Sequence, residues 1–357
     1  MKKVGIITAT LGKGGAEKVS INIARYFIKN GYECDILTIR RLNDEYIIPN
    51  NINRICACEK KENLITTIMK LRKIIKNSNF DIFIIMGVPL CTYVVPALIG
   101  FKIPFIVSER SSPSHFVGNR INTYISRLFM KKAKGYIFQT EGAKNFYKKS
   151  LQDRGIVIHN PLVVSELPQR YTEKRKKIIV SVGRLIPSKN HKLLINAFNE
   201  IIKIFPDYEL NIYGEGYFRN ELDSQIELLE LKDKVHLMGN FSNIAEEIKD
   251  KALFVMTSDY EGMPNALIEA MSIGMPCIST DCPDGGASEL IHNGTNGILV
   301  PVGNLDKMVF AMKQIICDEE LAKKCGENAY YIREDLDINI IGKKWIEYIE
   351  KCCIDTT

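Results

Sequence analysis

The chain has 357 residues and a formal net charge of +6, with 46% hydrophobic and 25% charged residues. It is too long for one typical core and suits two domains, and its composition is that of an ordinary soluble globular protein. The ten cysteines contain no Cys-x-x-Cys pair and several lie in apolar stretches, which favours reduced thiols over disulfides or a zinc site.

The first half of the chain alternates strand and helix patterns. Strands are predicted at residues 4–8, 34–39, 81–86, 105–108, 135–138 and 156–158, with a helix at 16–29. The uncharged stretch 82–101 has the length of a membrane span. Because Gly87, Pro89 and Pro96 interrupt it, we predict a buried strand followed by a buried helix instead.

A polar, charged segment at 162–177 is the predicted linker. A second alternating series follows, with strands predicted at 178–182, 210–213, 235–238, 253–256, 277–280 and 297–300 and a closing amphipathic helix at 342–353. Strands that alternate with helices indicate parallel sheets covered on both faces. Two such domains in tandem predict a ligand-binding cleft between the carboxyl ends of their sheets.

The charge is distributed unevenly along the chain. Residues 1–160 hold 26 Lys and Arg against 11 Asp and Glu, a net charge of +15, whereas the remainder has a net charge of −9. The helix-like segments 64–76 and 120–132 carry many of the basic residues, and such faces can bind anionic lipid with about 1 kcal/mol per basic residue. A solvated basic face is the alternative. Nucleic acid is not an expected partner, because no nucleic-acid-binding module is recognisable.

Two glutamates, Glu261 and Glu269, stand eight residues apart around a predicted strand-to-helix turn. Pro264 suits the first turn of that helix and Glu269 would lie two turns along it. Free amides at a helix start form an anion site, and a carboxylate beside it is suited to the hydroxyls of whatever carries the phosphate. The pair suggests a sugar nucleotide. The alternative is two solvated glutamates, against which the apolar neighbours of Glu269 argue.

Two cations, Arg184 and Lys189, follow the predicted strand 178–182. Loops at the carboxyl end of a parallel strand face the cleft, and Arg with Lys there suits a diphosphate. Salt bridging at the surface is the alternative.

Three glycine-rich turns also follow predicted strands, at 11–15, 213–216 and 284–286, and the last leads into an apparent helix. The first is not the dinucleotide-binding fingerprint, because its spacing is G-x-G-G and no clear ribose-binding acid follows the second strand. A dehydrogenase is therefore not expected.

A Glu–Arg pair, Glu109 and Arg110, follows the predicted strand 105–108 on the cleft side, with His115 nearby. It is either an acceptor-side site or an internal ion pair. The histidines form no metal-ligand pattern, so no metal held by the protein is expected.

Together these motifs resemble glycosyltransferase family 4, retaining sugar-nucleotide-dependent enzymes of the GT-B fold. The resemblance rests on Gly183-Arg184 with Lys189, Gly214-Glu-Gly216, the E-x7-E motif from Glu261 to Glu269, and Gly14-Gly15-Ala16-Glu17. It implies an α/β protein with two tandem Rossmann-like domains. These would be an acceptor-binding domain at 1–165, a sugar-nucleotide-binding domain at 178–340, and a C-terminal helix at 341–357 that crosses back to the first.

The resemblance also implies roles for individual residues. Arg184 and Lys189 would bind the donor diphosphate and stabilise the leaving group, Glu261 would hold the transferred sugar, and Glu269 would hold the ribose. The implied donor-binding residues are Gly14, Gly15, Gly183, Gly214, Gly216, Gly262, Met263, Pro264, Asn265 and Glu269. Many family members carry a His where this chain has Ser-Glu109-Arg110, while a subset resembling polyprenyl-linked oligosaccharide assembly enzymes has Ser-Glu-Arg. Which of Glu109, Arg110 or His115 acts at the reacting carbon stays open.

We therefore expect a cytoplasmic retaining glycosyltransferase, peripheral on the inner face of the membrane, that needs no metal or cofactor. It would move a hexose or N-acetylhexosamine from a nucleotide-sugar, expected to be UDP-linked, to a saccharide on a polyprenyl diphosphate in capsule or lipopolysaccharide biosynthesis. The alternatives are a sugar-nucleotide epimerase, a phosphorylase, and a non-catalytic family member that serves as a membrane-associated partner of a transferase.

Overall fold

The computed structural model describes residues 2–115 and 120–354. The chain divides into two compact units. The first comprises the residues up to Val163 together with those from Leu336 onward, and the second is Val164–Asp335.

The described part of the first unit contains one parallel sheet in the order β3-β2-β1-β4-β5-β6-β7. Its strands are β1 (Lys3–Thr8), β2 (Glu33–Arg40), β3 (Asn53–Cys58), β4 (Ile82–Met86), β5 (Phe105–Ser108), β6 (Gly135–Phe138) and β7 (Gly155–Val157). The helices between them are α1 (Gly15–Lys29), α2 (Leu64–Lys76), α3 (Cys91–Leu98), α4 (Arg120–Met130), α5 (Glu141–Asn145) and α6 (Lys149–Gln152). This strand order is that of a doubly wound sheet.

The long uncharged stretch forms β4, a short 3-10 turn at Val88–Leu90, and α3. Every residue of β4 is buried, because it is a central strand with helices on both faces. The prediction of a buried strand followed by a buried helix is confirmed. Over residues 2–115 and 120–354, no helix is both long and apolar enough to cross a membrane.

Strand β3 is absent from the sequence prediction. It lies at the edge of the sheet, and its residues are mostly half-buried rather than buried. A strand in that position shows no continuous apolar run, which is the signal that identifies a central parallel strand.

The second unit has a parallel sheet in the order β10-β9-β8-β11-β12-β13. Its strands are β8 (Lys176–Val182), β9 (Glu209–Tyr213), β10 (Val235–Gly239), β11 (Lys251–Met256), β12 (Cys277–Thr280) and β13 (Ile298–Val300). Its helices are α7 (His191–Ile202), α8 (Arg219–Leu228), α9 (Ile244–Ile248), α10 (Asn265–Ser272), α11 (Leu305–Cys317), α12 (Glu319–Tyr330) and α13 (Ile332–Leu336). The last residue of α13, Leu336, already belongs to the first unit. All six predicted strands are confirmed.

The helix expected after Asp284 is wrong. Pro283–Gly285 form a 3-10 turn in which Asp284 has φ +66°, and only turns follow before β13. A positive φ lies outside the right-handed helical region, so a helix cannot pass through Asp284.

The final helix, α14 (Ile338–Ile354), packs within the first unit. Its Trp345 is fully buried, and Tyr348 Oη accepts a hydrogen bond of 2.8 Å from the Tyr136 amide at the start of β6. Gly342 faces Tyr26 of α1 so closely that a Cβ there would lie 2.3 Å from the ring. Both sheets are parallel with helices between their strands, so the predicted α/β class with two Rossmann-like units is confirmed, and the loops that follow the strands of each unit lie along one edge of its sheet.

Candidate active site

The loop after β8 carries both predicted cations of the second unit. It forms one 3-10 turn at Pro187–Lys189, after which Asn190 takes the left-handed conformation with φ +47°. The Asn190 side chain accepts a hydrogen bond from the Leu193 amide and donates one of 2.8 Å to Asp259 Oδ1. Asparagine adopts this conformation more readily than most residues. It therefore starts α7 and fixes the position of Lys189.

The loop after β11 is joined to the loop after β8. Thr257 Oγ1 donates to the carbonyl oxygens of Lys189 and Asn190 over 3.1 and 3.0 Å, and the Asp259 amide donates to the Ser188 carbonyl over 2.9 Å. The two loops meet because β8 and β11 are neighbouring parallel strands.

Lys189 and Glu261 form an ion pair at this edge of the sheet. Ser258 Oγ donates a hydrogen bond of 2.6 Å to the same Glu261 oxygen that meets the ammonium. The side chains of Lys189 and Glu261 are 20% and 12% exposed, so solvent screens their interaction less than it would at a free surface. The ammonium group is thus held at a fixed place and still reaches solvent.

Arg184 lies on the same loop and is exposed. Within residues 2–115 and 120–354, no side chain forms a hydrogen bond or ion pair with its guanidinium group. The two cations therefore differ, because Lys189 is anchored by a carboxylate while Arg184 can turn toward a ligand.

Glu261 leads into α10, which begins at Asn265. Pro264 is the N-cap residue rather than part of the first turn, and Glu269 is the fifth helical residue, about one turn along the helix rather than two. Glu269 is 8% exposed, so it is a buried carboxylate and the solvated alternative is wrong for it. The loop between the two glutamates contains the predicted donor-binding residues Gly262 and Met263.

Two of the predicted donor-binding glycines, Gly214 and Gly216, allow the backbones of neighbouring loops to pack closely against each other. A Cβ at Gly214 would lie 2.0 Å from the Gly183 carbonyl oxygen, and one at Gly216 would lie 2.1 Å from that of Leu185. The Gly183 amide donates to Tyr213 O over 2.9 Å. The missing side chains of Gly214 and Gly216 therefore let the loop that carries Arg184 lie directly on the loop after β9.

A third loop, after β12, supports Glu261 from the other side. Thr280 Oγ1 and Cys282 Sγ donate to the Ser258 carbonyl over 2.6 and 3.1 Å. A Cβ on Gly286 would lie 2.0 Å from the Gly262 carbonyl oxygen. Thr280 and Cys282 were not predicted as site residues. The glycine-rich turn at 284–286, which follows them, was the signal in the sequence that could have indicated this loop.

In the first unit, Glu109 is 1% exposed. Its carboxylate accepts hydrogen bonds from Tyr147 Oη over 2.6 Å and from the Ser111 hydroxyl over 2.9 Å, and also from the amides of Arg110 and Ser111. Burial raises the pKa of Glu109, although these hydrogen bonds act in the opposite direction. The Glu109 carboxyl group is therefore bound by groups of the first unit and is shielded from solvent.

Arg110 is also turned inward. Its guanidinium group donates to Ser108 Oγ over 2.9 Å and to Asn160 Oδ1 over 2.6 Å, and it lies 5.6 Å from the centre of the Trp345 ring. Burial lowers the pKa of Arg110, and the nearby Glu109 charge opposes that effect. The pair therefore orders the loop after β5 around α14. Of the three residues considered for the reacting carbon, only His115 is exposed.

The other predicted site residues of the first unit lie where β1 meets α1. Gly14 is the N-cap residue of α1, with extended backbone and no side-chain cap, and Gly15 is the first helical residue. The Gly14 amide donates to the Gly12 carbonyl over 2.7 Å.

His191 supplies a prediction about stability. Burial lowers the pKa of His191 to about 4, and the Lys189 charge acts in the same direction. Between this value and the ordinary pKa of about 6.5, His191 binds a proton in the unfolded chain but not in the folded one. Acidification therefore favours the unfolded chain, and the free energy of unfolding that is present above pH 6.5 is lost as the pH falls toward 4. The shift corresponds to on the order of 3 kcal/mol. Urea denaturation at pH 7.0 and 4.5 should show that His191→Asn loses less stability on acidification than the parent.

The matched control is His292→Asn, because His292 is exposed. This variant should keep the pH dependence of the parent. Equal losses of unfolding free energy in the parent and in His191→Asn would contradict the prediction.

Known proteins match each unit of this chain. The family model described as "Glycosyltransferase Family 4" matches residues 13–166, and the one described as "Glycosyl transferases group 1" matches residues 164–331. A Haemophilus influenzae protein named "Uncharacterized glycosyltransferase" is 27% identical over 354 residues, which cover 97% of this chain and 99% of that protein.

A Campylobacter jejuni protein is 27% identical over 375 residues, covering 98% of this chain and all of that protein. Its name is "N-acetylgalactosamine-N,N'-diacetylbacillosaminyl-diphospho-undecaprenol 4-alpha-N-acetylgalactosaminyltransferase". Among solved structures, Anabaena HepE in complex with UDP and glucose superposes with a TM-score of 0.85 at 17% identity, covering 98% of this chain and 100% of that one. The two family models together match residues 13–331, and the chain belongs to glycosyltransferase family 4 with the GT-B fold.

Proposed function

We propose that this glycosyltransferase moves a hexose or an N-acetylhexosamine from a UDP-sugar to a saccharide carried on a polyprenyl diphosphate. The observation that carries the proposal is the anchored ion pair of Lys189 and Glu261, which lies on the same sheet edge as Arg184 and the start of α10. Two cations beside a helix start suit a diphosphate, and carboxylates beside them suit sugar hydroxyls. The HepE complex with UDP and glucose supports a nucleotide-sugar donor.

The proposed mechanism follows from the charge that develops during transfer. When the glycosidic bond breaks, negative charge grows on the diphosphate, and Arg184 and Lys189 stabilise it more than they stabilise the ground state. Glu261 and the amides of 262–265 hold the sugar, and Glu269 holds the ribose. The acceptor hydroxyl attacks from the face that the diphosphate leaves, the leaving phosphate takes its proton, and the anomeric configuration is retained without a metal ion.

The acceptor is the less constrained part of the proposal. The Campylobacter jejuni relative is named for a diphospho-undecaprenol acceptor, and an Erwinia amylovora relative is named for amylovoran biosynthesis. The strongly basic first half suits an acceptor with an anionic diphosphate at a membrane surface. We therefore place the activity in surface polysaccharide biosynthesis, on the cytoplasmic side of the membrane.

A face of the first unit supports binding to that membrane. On α4, the side chains of Ile121, Tyr124 and Leu128 are 67%, 70% and 47% exposed and lie three and four residues apart, on one side of the helix. On α2, Ile65 and Met69 repeat the pattern at 71% and 66%. Basic residues flank these apolar ones within the two helices or directly after α4, namely Lys70, Lys73, Lys76, Arg120, Arg127, Lys131 and Lys132. Exposed apolar side chains among cations are typical of a helix that lies in a membrane interface.

Substituting Tyr124→Ser and Leu128→Ser together should weaken binding to vesicles of mixed anionic and zwitterionic lipid by about tenfold or more, because two apolar side chains lose their insertion. Co-sedimentation with vesicles measures the effect. Leu228→Ser is the control, because Leu228 is 82% exposed on α8 of the second unit. Unchanged binding of the double variant, or equal binding of the parent to neutral vesicles, would contradict membrane docking by this face.

The experiment that tests the activity measures UDP release from single UDP-sugars, with and without a polyprenyl-diphosphate-linked saccharide and in the presence of a chelator. Release that depends on the acceptor, with an α-linked product from an α-linked donor, is the expected result. Turnover without an acceptor indicates an epimerase, and turnover with phosphate alone indicates a phosphorylase. UDP binding without turnover on any acceptor indicates a non-catalytic family member, and the absence of UDP binding overturns the proposal.

A further inference from the structure

The loop between β2 and β3 folds back onto the glycine-rich loop after β1. Gly12 and Glu45 form an antiparallel bridge, and the Tyr46 amide donates a hydrogen bond of 2.8 Å to the Leu11 carbonyl. The Leu11 amide in turn lies 3.3 Å from Glu45 Oε1. We call residues 11–15 the glycine loop. The first residues of this loop are thus hydrogen-bonded to the segment around Glu45.

Arg54, on the edge strand β3, holds Glu45 in place. Its Nη1 and Nη2 meet Glu45 Oε2 and Oε1 at 2.5 and 3.1 Å, and Nε and Nη2 each lie 3.2 Å from Thr38 Oγ1. Glu45 Oε1 also accepts a hydrogen bond of 2.9 Å from the Leu42 amide. The side chains of Arg54 and Glu45 are only 13% and 10% exposed. A bidentate arginine–carboxylate pair of this kind fixes the orientation of both side chains as well as supplying electrostatic attraction.

The protonation state of Glu45 agrees with that role. Partial burial alone would raise its pKa, but the hydrogen bonds from Arg54 and from the Leu42 and Leu11 amides outweigh burial and leave the pKa below its ordinary value. The carboxylate is therefore charged at neutral pH and can accept these hydrogen bonds.

The glycine loop needs such support because of its own composition. Gly12, Gly14 and Gly15 carry no side chain that could hold the loop, and glycine loses more conformational freedom on ordering than any other residue. Gly14 caps α1 without a side-chain hydrogen bond. The contacts from the segment around Glu45 therefore add support that the side chains of these glycines cannot supply.

We propose that Glu45 and Arg54 are positioning residues that set the glycine loop for sugar transfer. This inference rests on the proposed function and on the donor-binding role that the family resemblance implies for Gly14 and Gly15. Neither side chain touches the reacting atoms in this proposal. They act through the backbone at Leu11 and Gly12.

The test compares Glu45→Gln with the parent in three measurements. We expect kcat for transfer to fall about 10- to 100-fold, because small misplacements of a positioning group have effects of this size. UDP affinity should stay within about twofold, because the proposed nucleotide contacts belong to the second unit and only the loop is disturbed. Amide hydrogen exchange in residues 11–15 should accelerate severalfold, with exchange in the second unit unchanged.

Two further variants separate positioning from general loss of structure. Arg54→Lys keeps the charge but not the two-pronged contact, and it should give an intermediate kcat. Glu59→Gln makes the same chemical change at an exposed ion pair with Arg41, at 3.5 Å, that does not include residues 11–15, and it should behave as the parent. Thermal unfolding shows whether each variant is folded.

The possible outcomes are distinct. Parent-like kcat together with parent-like exchange of residues 11–15 in both Glu45→Gln and Arg54→Lys overturns the positioning role. An equal loss of kcat in Glu59→Gln overturns it as well. If the parent neither binds UDP nor transfers sugar, the proposed function fails instead, and the hydrogen exchange still reports whether Glu45 orders the loop.

Discussion

Replacing Lys189 by alanine is expected to lower the rate of sugar transfer by about 10²- to 10³-fold, the usual effect of removing one group that stabilises charge in a transition state. The lysine is held against Glu261, and the Thr257 hydroxyl, in the loop after β11, donates a hydrogen bond to the Lys189 carbonyl. It therefore needs little rearrangement to meet developing charge. Arg184 remains in the variant, so weak UDP binding should persist while kcat falls. Steady-state kinetics with varied donor measures both.

A structural loss has to be separated from a catalytic one in that experiment. Without Lys189, the Glu261 carboxylate keeps Ser258 but loses its countercharge, which costs about 1 to 3 kcal/mol of stability. Adding Glu261→Gln to Lys189→Ala should restore much of the stability without restoring transfer. Lys203→Ala is the control, because Lys203 lies just after α7 in an exposed pair with Glu200. Parent-like turnover of Lys189→Ala would contradict a role of this cation in the reaction.

The parallel sheets could be predicted because their central strands are continuous apolar runs. Ile82–Met86 and residues 252–256 of β11 show the principle, since each lies in a central strand that is covered on both faces and is apolar at every position. The position of the candidate site at one edge of the sheet could be predicted for a related reason. The sequence places Arg184 and Glu261 directly after such runs, and parallel strands bring their following loops to one edge.

The contacts within the site could not be predicted, because they depend on pairs far apart in sequence. No local pattern indicates that Asn190 donates to Asp259, or that Gly286 lies on the backbone of Gly262. The Glu109–Arg110 pair is a further example. From sequence it is a charged pair at the end of a strand, and only the contacts of Glu109 with Tyr147 and of Arg110 with Trp345 show that both side chains face inward.

The edge strand was missed because it lacks the signal that found the others. In β3 the polar Arg54 points into a network with Thr38 and Glu45, so the strand has neither an apolar run nor a clean alternation. Such a segment is identified by its partners and not by its own composition. The pair of Glu45 and Arg54, to which we assign the positioning role, could not be predicted from sequence for the same reason.

Gly214→Ala is expected to be the most damaging single-methyl change at the site, with a loss of stability on the order of 3 kcal/mol or more. Gly214 has φ +139°, which an L-residue rarely adopts, and the added Cβ would lie 2.0 Å from the Gly183 carbonyl oxygen. That neighbour is backbone, so it cannot move aside as a flexible side chain would. The loop that carries Arg184 would have to shift, and transfer should fall even in the folded fraction. Urea denaturation and kinetics on the folded protein measure the two effects.

Gly294→Ala separates the two causes of that loss. Gly294 also has a positive φ, +75°, but nothing lies within 4 Å of the position its Cβ would take, so only the backbone strain of about 1 kcal/mol applies. If the two variants lose similar stability, conformational strain alone explains Gly214 and the close approach to Gly183 is unimportant. If Gly214→Ala loses clearly more and also loses transfer, the contact between these two loops holds Arg184 at the position that the reaction requires.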